Sequence, residues 1–184
     1  MLIKTIDLER EPLNFKLDFE PGAIDFAPDA TQDGPLHAEG TADLLTEHRG
    51  PHEMIHDIRL RASYSGHFHA PCARCVEPVR HDLSGDFDLI FRPVGADGGG
   101  SEAAISTSET EIGYYLEGGL LLEDVLREQV ILSLPARSLC QPDCKGLCPR
   151  CGENLNEKQC RCDEAPADPR WLALGELRSH IIKE

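Results

Sequence analysis

The chain has 184 residues, 40% of them hydrophobic, which is enough for one globular domain with an appendage. Its formal net charge of −15 and its aromatic content of 5% argue against binding bare nucleic acid through the overall field or through stacking platforms. No apolar run approaches the length of a membrane span, so we expect a cytoplasmic protein with no membrane partner.

Residues 1–138 are expected to form a β-rich domain. Apolar and polar residues alternate in three segments, which is the pattern of half-buried strands. The apolar positions are Leu13, Phe15, Leu17 and Phe19 in the first segment, Ile58, Leu60, Ala62 and Tyr64 in the second, and Phe87, Leu89 and Phe91 in the third. Turn-forming residues separate the segments, which predicts an antiparallel sheet or a partly open barrel.

The end of this domain changes character twice. Residues 93–110 are rich in Gly, Ser and Glu and predict a mobile acidic loop. A short strand is predicted over residues 112–116. A helix is predicted over about 120–133, with Leu122, Val125, Leu126 and Gln129 along one face and Pro135 after its end.

Residues 139–184 are expected to form a second unit, a cysteine module followed by a C-terminal helix. Asp168 and Pro169 provide an N-cap and a first helical position. An apolar stripe then continues through Trp171, Leu172, Leu174, Leu177 and Ile181. The predicted class is therefore α+β, with two C-terminal helices and a small zinc knuckle.

Six of the eight cysteines lie within residues 140–162, and four of them predict a closed tetrahedral zinc site. The four expected ligands are Cys148, Cys151, Cys160 and Cys162. In a reducing compartment, clustered cysteines bind metal more often than they form disulfides. A site made of thiolates alone leaves no open position for water, so we expect a structural ion.

A second site is predicted from the remaining cysteines, which are Cys72, Cys75, Cys140 and Cys144. The pair Cys72 and Cys75 lies between two predicted strands, and a CxxC at a hairpin tip is another knuckle form. This second site would tie the sheet to the C-terminal module. Three alternatives stay open. Cys140 and Cys144 could substitute within the first site, Cys72 and Cys75 could be reduced thiols near a turn, or Cys72 and Cys75 could form a Cys2His2 site with His67 and His69.

Other chemistry is also compatible with these cysteines. The spacing Cys144-x3-Cys148-x2-Cys151 occurs in radical-SAM proteins, but the chain lacks the size and the βα alternation of such an enzyme. An ordinary iron–sulfur cluster stays open because thiolates suit both metals. A thioredoxin-like redox pair at Cys72 needs a helix that begins there, whereas the pattern predicts strands. The sequence shows no Ser–His–Asp arrangement, Walker loop or paired carboxylates.

The cysteine run CxxxCxGLCPxCGxNLNxxxCxC, followed by an acidic spacer and Asp168-Pro169-Arg170-Trp171, closely resembles the YceD family. The Cys72-Ala-Arg-Cys75-Val-Glu-Pro78 segment, the acidic loop and the segments at 121–124 and 131–135 also match it. The resemblance covers nearly the whole chain. It implies a bacterial or organellar protein that supports the synthesis, processing or stability of large-subunit ribosomal RNA, and it supplies no catalytic residue.

The expected function is therefore that of a non-enzymatic factor for 23S rRNA and large-subunit assembly. It would act through a basic ribosomal protein or assembly factor, and so directly or indirectly on large-subunit rRNA. The candidate surfaces are the helix with Trp171 and the acidic loop at 102–111. The alternatives are a direct RNA-binding zinc module and a thiol- or metal-dependent rRNA-processing enzyme.

Overall fold

The computed structural model describes residues 1–48, 54–96, 112–116, 118–160 and residue 162. The strands are β1 (Leu2–Ile3), β2 (Leu13–Phe19), β3 (Thr31–Gln32), β4 (Leu36–His48), β5 (Met54–Pro71), β6 (Pro78–Pro93), β7 (Ile112–Tyr115) and β8 (Leu120–Leu121). The helices are α1 (Thr5–Leu8) and α2 (Leu122–Ser133).

A six-stranded sheet forms most of the structure, in the order β2-β4-β5-β6-β7, with β3 also paired to β5. All its pairings are antiparallel except that of β6 with β7, which is parallel. The strands β2 and β7 lie at opposite edges and do not pair with each other. The sheet is therefore open, which confirms the predicted sheet and not the partly open barrel that was its alternative. The parallel pairing of β6 with β7 departs from the expectation of a fully antiparallel sheet.

The two faces of this sheet differ because the side chains of each strand alternate between them. On β5, the side chains of Ile58, Leu60 and Phe68 are fully buried on one face. Helix α2 covers this core face with Leu122, Val125, Leu126 and Val130. The opposite face, which we call the open face, carries polar side chains such as those of Arg59 and Arg61.

Cross-strand ion pairs organise the open face. Arg59 on β5 contacts Asp88 on β6, with its Nε 2.8 Å from Oδ1, and Arg61 contacts Asp43 on β4 at 2.5 Å. These pairs are largely exposed to solvent, so each contributes little to stability. The open face is therefore polar, and no described helix covers it.

The sequence pattern located most elements but not all. Strands are found at all four predicted positions, and α2 matches the predicted helix, although Leu120 and Leu121 form β8 before it. Strand β4 was not predicted. The buried face of α2 ends with Val130 instead of Gln129.

Two predicted features lie outside the described residues. They are the C-terminal helix that includes Trp171 and most of the acidic loop at 93–110, of which the structure describes only residues 93–96. The second described helix is the four-residue α1 near the N-terminus. Within the described ranges, neither helix combines the length and the apolar character needed to cross a membrane.

Candidate metal centres

The first cysteine pair lies at the tip of the longest hairpin, between the end of β5 and the start of β6. The register there pairs Pro71 with Pro78, so Cys72 and Cys75 fall in the connecting turn. The N–H of Val76 donates to the carbonyl of Cys72 at 2.9 Å. Val76 itself has a φ of 65°, the left-handed conformation that suits glycine.

The second cysteine pair repeats this turn with a different sequence. In Cys148-Pro149-Arg150-Cys151, the N–H of Gly152 donates to the carbonyl of Cys148 at 2.9 Å. Gly152 has a φ of 74°, so it corresponds to Val76. Both CxxC segments thus form the same knuckle, with both cysteines directed to one side of a tight turn.

The hairpin knuckle meets the first two cysteines of the C-terminal run, and we call this group the inner cluster. Its members are Cys72, Cys75, Cys140 and Cys144. The Sγ atoms of Cys72 and Cys144 are 3.9 Å apart, and those of Cys75 and Cys140 are 3.6 Å apart. All these cysteines except Cys140 are buried.

The second knuckle meets the last two cysteines, and we call this group the outer cluster. Its members are Cys148, Cys151, Cys160 and Cys162. The Sγ atoms of Cys148 and Cys160 are 3.4 Å apart. Only Cys148 is buried, while Cys151 and Cys162 are exposed, so this cluster lies closer to solvent than the inner one.

Both sulfur sets fit a tetrahedral zinc ion. With Zn–S bonds of about 2.3 Å, tetrahedral geometry places the sulfurs about 3.8 Å from one another. The ligand atoms of each cluster lie within 4.8 Å of one another, and the individual distances above scatter around the required value. Four thiolates would complete the coordination and leave no position for a reacting water.

The turns also favour ionisation of cysteine to the thiolate, which is the form that binds metal. Backbone N–H groups of Cys75 and Arg74 lower the pKa of the Cys72 thiol to about 6. In the other knuckle, the N–H groups of Cys151 and Arg150 lower the pKa of Cys148 to about 6 in the same way. Each cluster therefore contains at least one cysteine whose lowered pKa favours the thiolate.

Backbone contacts attach the C-terminal module to the hairpin tip. The N–H of Ala73 donates to the carbonyl of Ser138 at 2.8 Å, and the N–H of Leu147 donates to the carbonyl of Arg74 at 3.1 Å. The guanidinium of Arg74 donates to the carbonyl of Cys144 at 2.7 Å. Arg74 thus links the two chain segments that supply the inner cluster, a role that its position between two cysteines did not reveal.

Asn156 is a further residue that the sequence reasoning placed only in a turn. Its Oδ1 accepts from the N–H of Lys145 at 2.8 Å, and its Nδ2 donates to Cys144 Sγ at 3.3 Å. Asn156 comes from the loop of the outer cluster but stabilises a sulfur of the inner one. The only sequence signal for it was the Asn154-Leu155-Asn156 segment between the cysteine pairs.

The composition of the two clusters argues against the radical-SAM site and the Cys2His2 site. Cys144 belongs to one cluster and Cys148 with Cys151 to the other, so the radical-SAM spacing does not form one site. His67 and His69 join no group of three or more metal-binding side chains among the described residues. The Nδ1 of His67 instead donates to Asp82 on the open face at 2.6 Å.

These features define an open-sheet α+β protein with two sets of four cysteines, each of which could hold one metal ion. The family described as "Large ribosomal RNA subunit accumulation protein YceD" matches residues 60–178, which is more than half of the chain and includes both clusters. The chain belongs to the YceD family.

Several curated relatives resemble this chain over part of their length. A protein of Mycobacterium tuberculosis, named as uncharacterised, is 36% identical over 58% of this chain and 48% of its own length. The chloroplastic "Large ribosomal RNA subunit accumulation protein YCED homolog 1" is 36% identical over 30% of this chain and 17% of its own length in Arabidopsis thaliana. In Zea mays its namesake is 26% identical over 50% of this chain and 39% of its own length.

The chain spans about half the length, or less, of the curated relatives that it matches. No solved structure matches it.

Proposed function

We propose that this chain supports the accumulation of large-subunit ribosomal RNA, the 23S rRNA of bacteria, as a non-enzymatic factor. The observation that carries the proposal is the family match over residues 60–178. The plant relatives bear the name of this function. The matched region contains the hairpin tip, α2 and both cysteine clusters.

The metal chemistry supports a structural role for these clusters. We propose that each holds one zinc ion, because zinc accepts four thiolates in a closed tetrahedral site. Zinc bound in this way has no free position at which it could activate water. The ions would fix the C-terminal module on the hairpin tip and create a rigid surface for a partner.

Charge supports a protein partner in preference to bare RNA. The net charge of −15 repels phosphates at long range and attracts a basic ribosomal protein or assembly factor. The two surfaces expected to bind such a partner, the helix with Trp171 and the loop at 102–111, lie outside the described residues. The proposal of a basic protein partner therefore rests on the overall charge.

The function is tested in cells that carry this gene, by deleting it and measuring the ratio of large- to small-subunit rRNA. We expect the ratio to fall and to recover with the wild-type gene. The double variant Cys72→Ser and Cys148→Ser should restore it less well, whereas His48→Ala, on the exposed end of β4, should restore it fully. An unchanged rRNA ratio in the deletion strain would refute the proposal.

The mechanism is tested by affinity capture of the tagged protein, with RNase treatment as the comparison. We expect a basic protein to be retained after RNase treatment. Retention of RNA alone, with an affinity that falls steeply as salt rises, would instead identify a direct RNA-binding module. Cleavage or modification of precursor rRNA by the purified zinc-loaded protein would identify an enzyme.

A further inference from the structure

We propose that the outer edge of β6 binds an extended segment of a basic partner protein as an additional strand of the sheet. Strand β6 runs from Pro78 to Pro93, but β7 pairs only with residues 90–93. We call residues 79–89 the free edge. The inference rests on the proposed function, because that proposal supplies a basic protein as the partner.

The free edge has unpaired backbone groups. The N–H of Cys72 donates to the carbonyl of Glu77 at 2.8 Å, so these two residues form a hydrogen-bonded pair that continues the β5–β6 register. Such pairs recur at every second residue of an antiparallel ladder, so the odd-numbered residues of β6 bond to β5 and the even-numbered ones direct their N–H and C=O groups outward. No group of the described residues bonds to the outward backbone groups of Arg80, Asp82, Ser84, Asp86 and Asp88.

The core face of the free edge is only partly covered. Leu83, Phe87 and Leu89 pack against the core but are only partly buried. Leu60, the cross-strand partner of Leu89 on β5, is fully buried. The difference arises because β5 has a strand on both sides, whereas the free edge of β6 has one only on its inner side. Apolar side chains of an added strand would complete the burial of this face.

The opposite side of the free edge is acidic. Asp82, Asp86 and Asp88 project from the open face, and Arg80 is the only lysine or arginine of the free edge. Asp86 forms no ion pair or hydrogen bond with a described side chain. Opposite charges that face each other across neighbouring strands are stabilising. The free edge therefore fits a strand in which apolar residues alternate with basic ones.

The same charges argue against a second copy of this chain as the occupant. Two identical edges would bring their aspartates together on one face, and like charges opposite each other are destabilising. At the far edge of the sheet, β2 carries Lys16, the type of side chain that protects an edge from pairing. The free edge has no lysine, so its charges favour a basic strand and disfavour an acidic one.

The test adds a synthetic peptide of about eight residues, alternating valine and lysine, to the ¹⁵N-labelled, zinc-saturated full chain. In the free protein, the amides of Ser84 and Asp86 should exchange with solvent faster than that of Phe87, which bonds to β5. Bound peptide should slow exchange at Ser84 and Asp86 and change that of Phe87 little. Exchange that is already slow at Ser84 and Asp86 without peptide, or that stays fast with it, would overturn the proposal.

N-methylated peptides test whether backbone hydrogen bonds hold the added strand. Alternate N–H groups of a strand point to opposite edges, so methylation of one alternate set should abolish binding and methylation of the other should not. Equal binding of the two methylated peptides would mean that charge alone attracts the peptide, and the proposal would be refuted.

Ser84→Pro is the matching change in the protein, because proline is tolerated where the N–H of an edge strand faces solvent. It should weaken peptide binding by up to about 10-fold through the lost hydrogen bond, whereas Ser84→Ala, which keeps the N–H, should not weaken it. Asp86→Lys should weaken binding more than Asp86→Asn. Wild-type affinity in Ser84→Pro and Asp86→Lys would contradict the proposal. The readout is peptide binding, so its failure would leave the test by rRNA ratio unaffected.

Discussion

Replacing Val76 by glycine should stabilise the protein, although the change removes an apolar side chain. Val76 has a φ of 65°, a conformation that places the Cβ of an L-residue too close to the following carbonyl. A β-branched residue is rare there. The side chain is 63% exposed, so its removal sacrifices little buried apolar surface.

The expected gain follows from two opposing effects. The left-handed conformation costs an L-residue about 1–2 kcal/mol. Glycine avoids this cost but loses about 0.5–1 kcal/mol through the greater freedom of the unfolded chain. The net increase in the free energy of unfolding should therefore lie between about 0 and about 1.5 kcal/mol.

The second knuckle provides the reciprocal variant. Gly152 occupies the equivalent position with a φ of 74°, and a Cβ added there would contact nothing within 4 Å. Gly152→Ala should therefore lower stability by between about 0 and about 1.5 kcal/mol, because backbone strain is partly offset by the smaller freedom of the unfolded chain. Val76→Ala, which keeps a Cβ, should recover less than Val76→Gly.

Equilibrium denaturation at a fixed zinc concentration measures all three variants against the wild type. The concentration must be held constant because metal binding shifts the apparent stability. A Val76→Gly protein that is no more stable than Val76→Ala would show that the left-handed conformation carries no strain, and the reasoning would fail.

Two further predictions concern the end of the sheet at β7. Arg92 and Asp57 form a buried pair, with Arg92 Nη2 2.8 Å from Asp57 Oδ2, so Arg92→Met should cost about 3–5 kcal/mol in denaturation experiments, and adding Asp57→Asn should recover part of it. A double variant no more stable than the single one would contradict this explanation. Burial, and then the charge of Asp57, raises the pKa of Tyr115, whose phenol donates to the carbonyl of His56 at 2.8 Å. Tyr115 therefore contributes stability that is complete below its unfolded pKa of about 10 and is lost as pH rises through the higher folded pKa. The Tyr115→Phe protein should lose stability less steeply in alkaline denaturation, and an equally steep loss would show that the phenol does not titrate in this way.

Local patterns predicted the elements whose burial alternates regularly, and they failed where burial depends on partners. Strand β2 and helix α2 carry large apolar residues at the right period. Strand β4 instead buries small residues, including Ala38 and Ala42, which have weak patterns of their own. Strand β4 belongs to the sheet because it pairs with β5 at twelve positions, and no local sequence pattern reveals this pairing.

The cysteine clusters show the same division between local and distant information. The spacing within the run predicted that Cys148 and Cys151 act together, because a knuckle is a local turn. The grouping of Cys72 with Cys144 was only a hypothesis, since it depends on how the hairpin tip meets a segment 72 residues later in the chain. Asn156 could not be identified as a contact of Cys144, because that contact exists only after the module has folded.

The two clusters would constrain the unfolded chain to different extents. Cys75 and Cys140 lie 65 positions apart, and the segment between them contains β6, β7, β8 and α2. By the entropy expected for a cross-link, an ion that joins them would restrict the unfolded chain by about 4 kcal/mol. The corresponding pair in the outer cluster, Cys148 and Cys160, lies only 12 positions apart.

An ion in the inner cluster would therefore act like a long-range disulfide. Its removal should loosen the end of the sheet together with α2. Removal of the outer ion should affect mainly the short loop that it closes. Occupancy of the inner cluster would in this way couple the unfolding of the sheet to that of α2 through one pair of distant chain segments.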